Sequence, residues 1–479
     1  MATLGMRHRE SHREPIYGIA FNHVDASLAN TFATVGANRA TVYRLDDPSE
    51  EAQLPEGRKR GRACRTLTTM QAYCDGDDDE NFYCCAWGVE EAGSSSEGSV
   101  GSLLAMGGTM RHIKVLDCCV GGVRCVLMGH GGDINEVKFH PHRHALLLSA
   151  SADESIRLWH VHAKVCLATF CGDQGHRDAV VAIDVRPDGH AFASGSIDGT
   201  VKVWSLQTDA ILRRAEQTED QLSERAAAAE VVAIEESEEA ADESEGGASS
   251  SGGPGAGSVP SRALHTLPPI VNQYPATTTR VHYDSNARLS YWVDCVRYVG
   301  DSLLLTRASD GRALLWQLEA SNGGPASGGD GSDVRVLQEF RVGTSGIWYL
   351  RFALDAARSC LAMGNTKGEV LVWPLLGAGS SDASANGKGK KLAVNDASAE
   401  PSEAITDVKA VKPCTTLRVA DVSNTNPKPK KGKGGKKSGA SEEGPTVRCT
   451  AVSNDGRCIV GGCDDGSLCV WELPTNCII

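Results

Sequence analysis

A pattern of two short apolar strands joined by a polar turn recurs along this chain and leaves few folds open. The segments LLLSASADESIRLWHV (146–161), AFASGSIDGTVKVWSL (191–206), LLLTRASDGRALLWQL (303–318), CLAMGNTKGEVLVWPL (360–375) and CIVGGCDDGSLCVWEL (458–473) align without gaps. Two weaker copies, LLAMGGTMRHIKVLDC (103–118) and TFATVGANRATVYRLD (31–46), carry Leu116 and Tyr43 where the others have tryptophan. Five of the eight tryptophans, Trp159, Trp204, Trp316, Trp373 and Trp471, fall at this one position, which scattered core tryptophans would not do. Trp159 and Trp204 are 45 residues apart. A period of that size built only of strands predicts propeller blades, four strands each, around a channel. Seven copies predict an all-β, seven-bladed β-propeller.

Two repeats also hold the polar set expected inside such blades: His130, Ser149, Asp153 and Trp159, then His176, Ser194, Asp198 and Trp204. Each histidine is read as a structural link between turn aspartate, strand serine and indole, with no chemical role.

The repeats claim residues 15–475 for one ring, preceded by an N-terminal tail at 1–14. Extra length falls in insertions. Residues 92–100 and 320–334 lengthen hairpins with flexible-linker composition. Residues 207–262 open as a possible helix and pass into SSSGGPGAGS; between Glu219 and Glu245 stand eleven carboxylates and one arginine, a run read as a solvated, disordered acidic insertion. Residues 376–445 are Gly, Ser and Lys-rich and include NPKPKKGKGGKK (426–437). That run fits a nuclear-import signal or a weak nucleic-acid contact, and equally a solvated loop, as does RKRGR (58–62).

The polar start MATLGMRHRESHRE does not resemble a signal peptide, and no apolar stretch approaches a membrane span, so a soluble intracellular protein is expected. The seventeen cysteines show no paired CxxC spacing and read as reduced small core residues. HPHRH (140–144) has the composition of a metal cluster but sits where a blade has a solvent loop, so no metal and no cofactor are expected. A formal net charge of −13 argues against coating nucleic acid and allows direct contact that is weak at most.

The first strand of each blade lines the channel, so its opening residues gather at one mouth. With Phe21, Trp87, Phe139, Val185, Tyr298, Phe352 and Val452 as internal anchors, the residues four earlier are Tyr17, Tyr83, Asn135, Val181, Asp294, Trp348 and Arg448, and Tyr349 follows Trp348. Blades six, seven, one and two are contiguous in a closed ring, so Tyr17, Tyr83, Trp348 and Tyr349 fall on one arc. They either plug the channel or grip a quaternary ammonium, whose charge favours converging ring faces. The set contains one carboxylate and one arginine without a nucleophile and base pair, so the chain is expected not to be an enzyme.

The segments YGIAFN, FATVGANR, DGDDDENFYCCAW, GHGGDINEVKFHP, GHRDAVVAIDV, WVDCVRYVGDSLL, GIWYLRFALD and CLAMGNTKGEVLVW resemble the extra-sex-combs / embryonic-ectoderm-development family, the WD-repeat subunit of Polycomb repressive complex 2. The resemblance touches all seven blades and about half the chain. It implies a nuclear WD40 scaffold that reads trimethylated lysine of the histone H3 tail and stimulates a SET-domain methyltransferase subunit, alongside other subunits of that complex. It places Tyr17, Tyr83, Trp348 and Tyr349 as the methyl-lysine cage, and Arg448, Trp292, Asp294 and Asn135 as contacts to the histone peptide. The chain departs from the pattern at Tyr17, where animal members have phenylalanine, at Trp292, where they have tyrosine, and at Ala152, where they have lysine. Both large insertions also depart from it, and few residues precede the first blade. A general WD-repeat adaptor, such as a ubiquitin-ligase substrate receptor, is the other function that fits the ring.

Overall fold

The computed structural model describes residues 3–46, 65–90, 101–242, 269–318 (short of 273–274, 276, 282 and 285–288), 334–375 (short of 344–346 and 348), 391–392, 410–419 and 444–473. RKRGR, NPKPKKGKGGKK, residues 92–100 and nearly all of 320–334 lie outside the described residues.

Seven sheets form the ring, each built on four antiparallel strands; Ile270–Asn272 adds to blade three, and Lys391–Leu392 and Ala410–Val411 add to blade five. The opening strands of blades one to seven are Gly18–Phe21, Phe82–Glu90, Ile134–Phe139, Val180–Val185, Val293–Val299, Phe352–Leu354 and Val447–Val452. Within every blade the repeat tryptophan, or its substitute, stands opposite a large apolar residue of the second strand: Tyr43 against Phe32, Leu116 against Leu104, Trp159 against Leu147, Trp204 against Phe192, Trp316 against Leu304, Trp373 against Leu361 and Trp471 against Ile459. All seven are buried. One such pair per blade gives each sheet the same cross-strand anchor. Both polar tetrads form. His130 bridges Asp153 (2.8 Å) and Ser149 (2.7 Å), and Trp159 donates to Ser149 at 2.8 Å. His176 bridges Asp198 (3.1 Å) and Ser194 (2.7 Å), and Trp204 donates to Ser194 at 2.9 Å.

The N-terminal segment is not a tail. Thr3–Arg9 pairs antiparallel with Ser467–Glu472 and becomes the outer strand of blade seven. This strand covers Leu468 and Val470 with Met6 and so closes the ring by joining the two ends of the chain. The 376–445 segment is not one insertion either, because Thr415–Arg418 is the outer strand of blade six, pairing with Glu369–Pro374. Leu417 supplies its buried anchor, and the Trp373 indole donates to the Val411 carbonyl at 3.1 Å.

The acidic insertion is helical rather than disordered as far as it is described, from Asp209 to Asp242. The Thr208 hydroxyl accepts from the Ile211 amide at its start, and Ile211 and Ala215, one turn apart, pack into the core beside Phe170 and Leu206. Alanine and glutamate, both strong helix formers, carry it onward from that docked turn. HPHRH lies in a turn, as expected, with Pro141 and His142 exposed, but the turn is anchored. His140 is buried and donates to the Gly189 carbonyl at 2.9 Å, and His142 reaches Pro187 at 2.8 Å, tying blade three to blade four. Among the described residues no set of three or more His, Cys, Asp or Glu side chains is arranged to hold a metal. The fifteen described cysteines form no disulfide with one another. Among the described residues, no helix is long and apolar enough to cross a membrane.

Candidate functional site: an aromatic mouth on a charged channel

The register position at the start of the inner strands is a β-bulge. In blades two, three, four, five and seven the ladder slips at one residue, which is Tyr83, Asn135, Val181, Asp294 and Arg448 in turn. In blade one, Tyr17 donates its amide to Val35, the residue already opposite Gly18. A bulge leaves its extra residue out of the ladder and re-aims the side chain. Repeated around the ring, it supplies a circle of side chains freed from sheet packing.

Three of the expected rings meet there. Tyr17 and Tyr83 lie edge to face with centroids 5.2 Å apart, Tyr17 and Tyr349 likewise at 5.8 Å, and Tyr83 and Tyr349 are tilted at 5.9 Å. Tyr17 and Tyr83 are half-buried, while Tyr349 is only 1% exposed. Trp348 lies outside the described residues. Tyr349 adopts φ +72°, the left-handed region that a bulky residue enters only when its surroundings over-determine it. Those surroundings are visible. Its hydroxyl is shared as donor between the carbonyls of Tyr83 (2.6 Å) and Asn135 (2.7 Å), and the Arg351 guanidinium lies 4.4 Å from the ring centroid.

Arg351 belongs to a buried ionic network that fills the channel below the rings. It donates to the Asn135 and Val181 carbonyls, both at 2.8 Å, and pairs with Glu136 at 2.5 Å. Arg297 reaches the same carboxylate at 2.8 Å. Burial alone would raise the Glu136 pKa, but Arg297 and Arg351 outweigh it and hold the group down at about 2.

Not every expected contact residue faces outward. Asn135 is buried, its amide donating to the Val180 carbonyl at 2.8 Å. Asp294 is buried in an ion pair with the fully buried Arg307. Asn135 thereby ties blade three to blade four, and Asp294 is taken up by Arg307 on the next strand of its own blade. Arg448 pairs with Asp464 and sits with its guanidinium 5.4 Å from the Tyr17 centroid. Trp292 is 44% exposed. The residue that sequence reasoning missed is Arg351. Its only sequence signal was a charged residue in an apolar inner strand, two positions after the aromatic pair.

The WD domain, G-beta repeat family matches residues 121–160, 164–205 and 437–472. Polycomb group protein FIE2 of Zea mays is 28% identical over 97% of this chain and 89% of its own length. Polycomb protein esc of Drosophila virilis is 29% identical over 77% of this chain and 71% of its own. The chain is homologous to the Polycomb esc and FIE proteins. The esc/FIE relationship spans the ring, not one blade. In fold the chain matches a chain of the Chaetomium thermophilum Polycomb repressive complex 2 solved with H3K27me3 and H3K27M, at a TM-score of 0.63 and 16% identity over 98% of both chains.

Proposed function

We propose that this chain is a nuclear, non-catalytic WD-repeat subunit of a Polycomb repressive complex 2 type histone methyltransferase that reads trimethylated lysine of the histone H3 tail. Tyr17, Tyr83, Trp348 and Tyr349 form the cage, and Trp292 and Arg448 flank the peptide. The observation that carries this reading is the convergence of three tyrosine rings, two of them partly open to solvent, at one channel mouth. A methylated ammonium keeps its charge but loses hydrogen bonds to water, so each ring face contributes about 0.5–2 kcal/mol. The esc/FIE relationship and the Chaetomium fold match support the same assignment.

The chain's part in the reaction is differential binding. An occupied cage favours one arrangement of the complex, and that bias reaches the SET-domain subunit as a coupling free energy of about 1–3 kcal/mol. Calorimetric titration with H3 tail peptides of graded methylation tests the reading. Affinity is expected to rise with methylation and to fall on Tyr17→Ala or Trp348→Ala; equal affinity for methylated and unmethylated peptides would overturn it.

A further inference from the structure

Two of the three converging rings already hold a cation of the chain itself. The Arg351 guanidinium lies 4.4 Å from the Tyr349 centroid, and the Arg448 guanidinium lies 5.4 Å from the Tyr17 centroid. The two arginines are not alike. Arg351 is pinned inside the channel by Glu136 and by the Asn135 and Val181 carbonyls, so its departure would strand buried charge. Arg448 stands at the rim. Its side chain is 16% exposed and pairs with Asp464, whose side chain is 30% exposed, so water can take over either charge at modest cost.

The local backbone explains why Arg448 meets Tyr17. Arg448 occupies the bulge of blade seven, which releases its side chain from the sheet, while its carbonyl accepts from the Arg351 amide at 2.8 Å. Asp464 lies in the next turn of the same blade, and its amide donates to the Thr446 carbonyl at 3.0 Å, two residues before Arg448. The carboxylate is thereby held beside the guanidinium, and the guanidinium beside the ring. An incoming ammonium finds Tyr17 already serving a cation. Two cations at one ring cannot both keep its full attraction, because they share one quadrupole and repel each other.

We infer that Arg448 is a resident cation of the cage: a trimethylated ammonium enters by displacing its guanidinium from Tyr17, and the displaced guanidinium then meets the peptide. Asp464 is the positioning residue that keeps Arg448 at the ring until that exchange. The inference rests on the methyl-lysine reading above and adds a step that discriminates between ligands. A trimethylated ammonium has little hydration to lose at the ring, whereas an unmethylated one is a compact, strongly hydrated charge and gains less than the weakly hydrated guanidinium it would expel. A peptide regains the guanidinium as a partner; a bare cation does not.

Arg448→Gln is therefore expected to act in opposite directions on two ligands of the full chain. Tetramethylammonium, titrated at constant ionic strength to remove general screening and followed by the NMR linewidth of its methyl protons, is expected to bind the variant about three- to fivefold more tightly than the parent, the worth of one ring–cation contact. The trimethylated H3 tail peptide, titrated by calorimetry, is expected to bind the same variant about tenfold more weakly, for want of its charged partner. Arg448→Gln/Asp464→Asn removes the carboxylate as well, so that an orphaned anion cannot attract the probe, and the gain for tetramethylammonium is expected to persist. Tetramethylammonium affinity that is equal or lower in Arg448→Gln, or a gain that vanishes in the double variant, overturns the exchange while methylation-dependent peptide binding keeps the cage reading in place. Failure of both tetramethylammonium and methylated peptide to bind parent and variants alike overturns the cage reading, and the exchange with it.

Discussion

The hydroxyl of Tyr349 donates to the backbone carbonyl of Asn135 at 2.7 Å, so a ring from blade six is fastened to blade three across the channel. The same hydroxyl reaches the Tyr83 carbonyl in blade two at 2.6 Å. Tyr349 therefore ties three blades with one oxygen, and its ring position follows from that tie. Tyr349→Phe keeps the ring and strands buried carbonyls, so it is expected to cost about 1–2 kcal/mol of stability. Denaturant unfolding measures that loss, and peptide titration of the same variant is expected to retain most of the affinity that Tyr349→Ala loses.

Glu136 answers two buried arginines at once. Removing one partner of a buried ion pair leaves the other charges uncompensated, so Glu136→Gln is expected to destabilise by about 3–5 kcal/mol. The pH dependence has a definite sign. Glu136 titrates at about 2 in the fold against an ordinary 4.5, so its contribution is complete above pH 4.5 and is lost as the pH falls toward 2. Unfolding curves across that window should slope less in Glu136→Gln than in the parent; parallel curves would contradict the network.

In blade four, burial holds the His176 pKa below 6.5 despite the bond to Asp198, so the imidazole is neutral in the fold. Because the folded value is the lower one, its contribution is whole above about pH 6.5 and declines as the pH falls through the folded value. The melting temperature is expected to drop between neutral and mildly acid pH, and to drop less in His176→Asn. Ser194→Ala removes the oxygen shared by His176 and Trp204 and is expected to cost about 1–3 kcal/mol at neutral pH.

Much of this was readable in the chain because the blade is a local unit. The tryptophan position needs only the two strands of one hairpin, and all five indoles lie where the alignment put them. The four-residue offset also landed on a real feature, the bulge, although alternation alone did not announce it. Direction was harder to read. Asn135 and Asp294 share the bulge position with Tyr83, yet their partners, the Val180 carbonyl and Arg307, pull them inward, and nothing in their own strands records that. The outer strands of blades six and seven escaped notice for another reason. Thr415–Arg418 follows a long Gly- and Ser-rich stretch, and Thr3–Arg9 is polar and finds its partner only at the other end of the chain.

Deleting residues 1–9 tests the last of these. Blade seven would lose its outer strand and expose Leu468 and Val470, so a lower melting temperature and faster proteolysis of the ring are expected. Arg7→Ala, which removes a partly exposed ion pair with Asp465 and a hydrogen bond to the Ser467 hydroxyl, is expected to cost no more than about 1 kcal/mol. Equal stability of parent and truncated chain would show that the strand is dispensable.

The joining of Thr3–Arg9 to Ser467–Glu472 also sets an order of events during synthesis. Arg7 must wait for Ser467, 460 residues later, before it has anything to pair with. Blades one to six have all their strands as the chain emerges from the ribosome, but the ring stays an open arc until Ser467–Glu472 has been made. During that interval the first strand has an unpaired edge and needs shielding from neighbours, and the final step of folding is a long-range closure that local contacts cannot hurry.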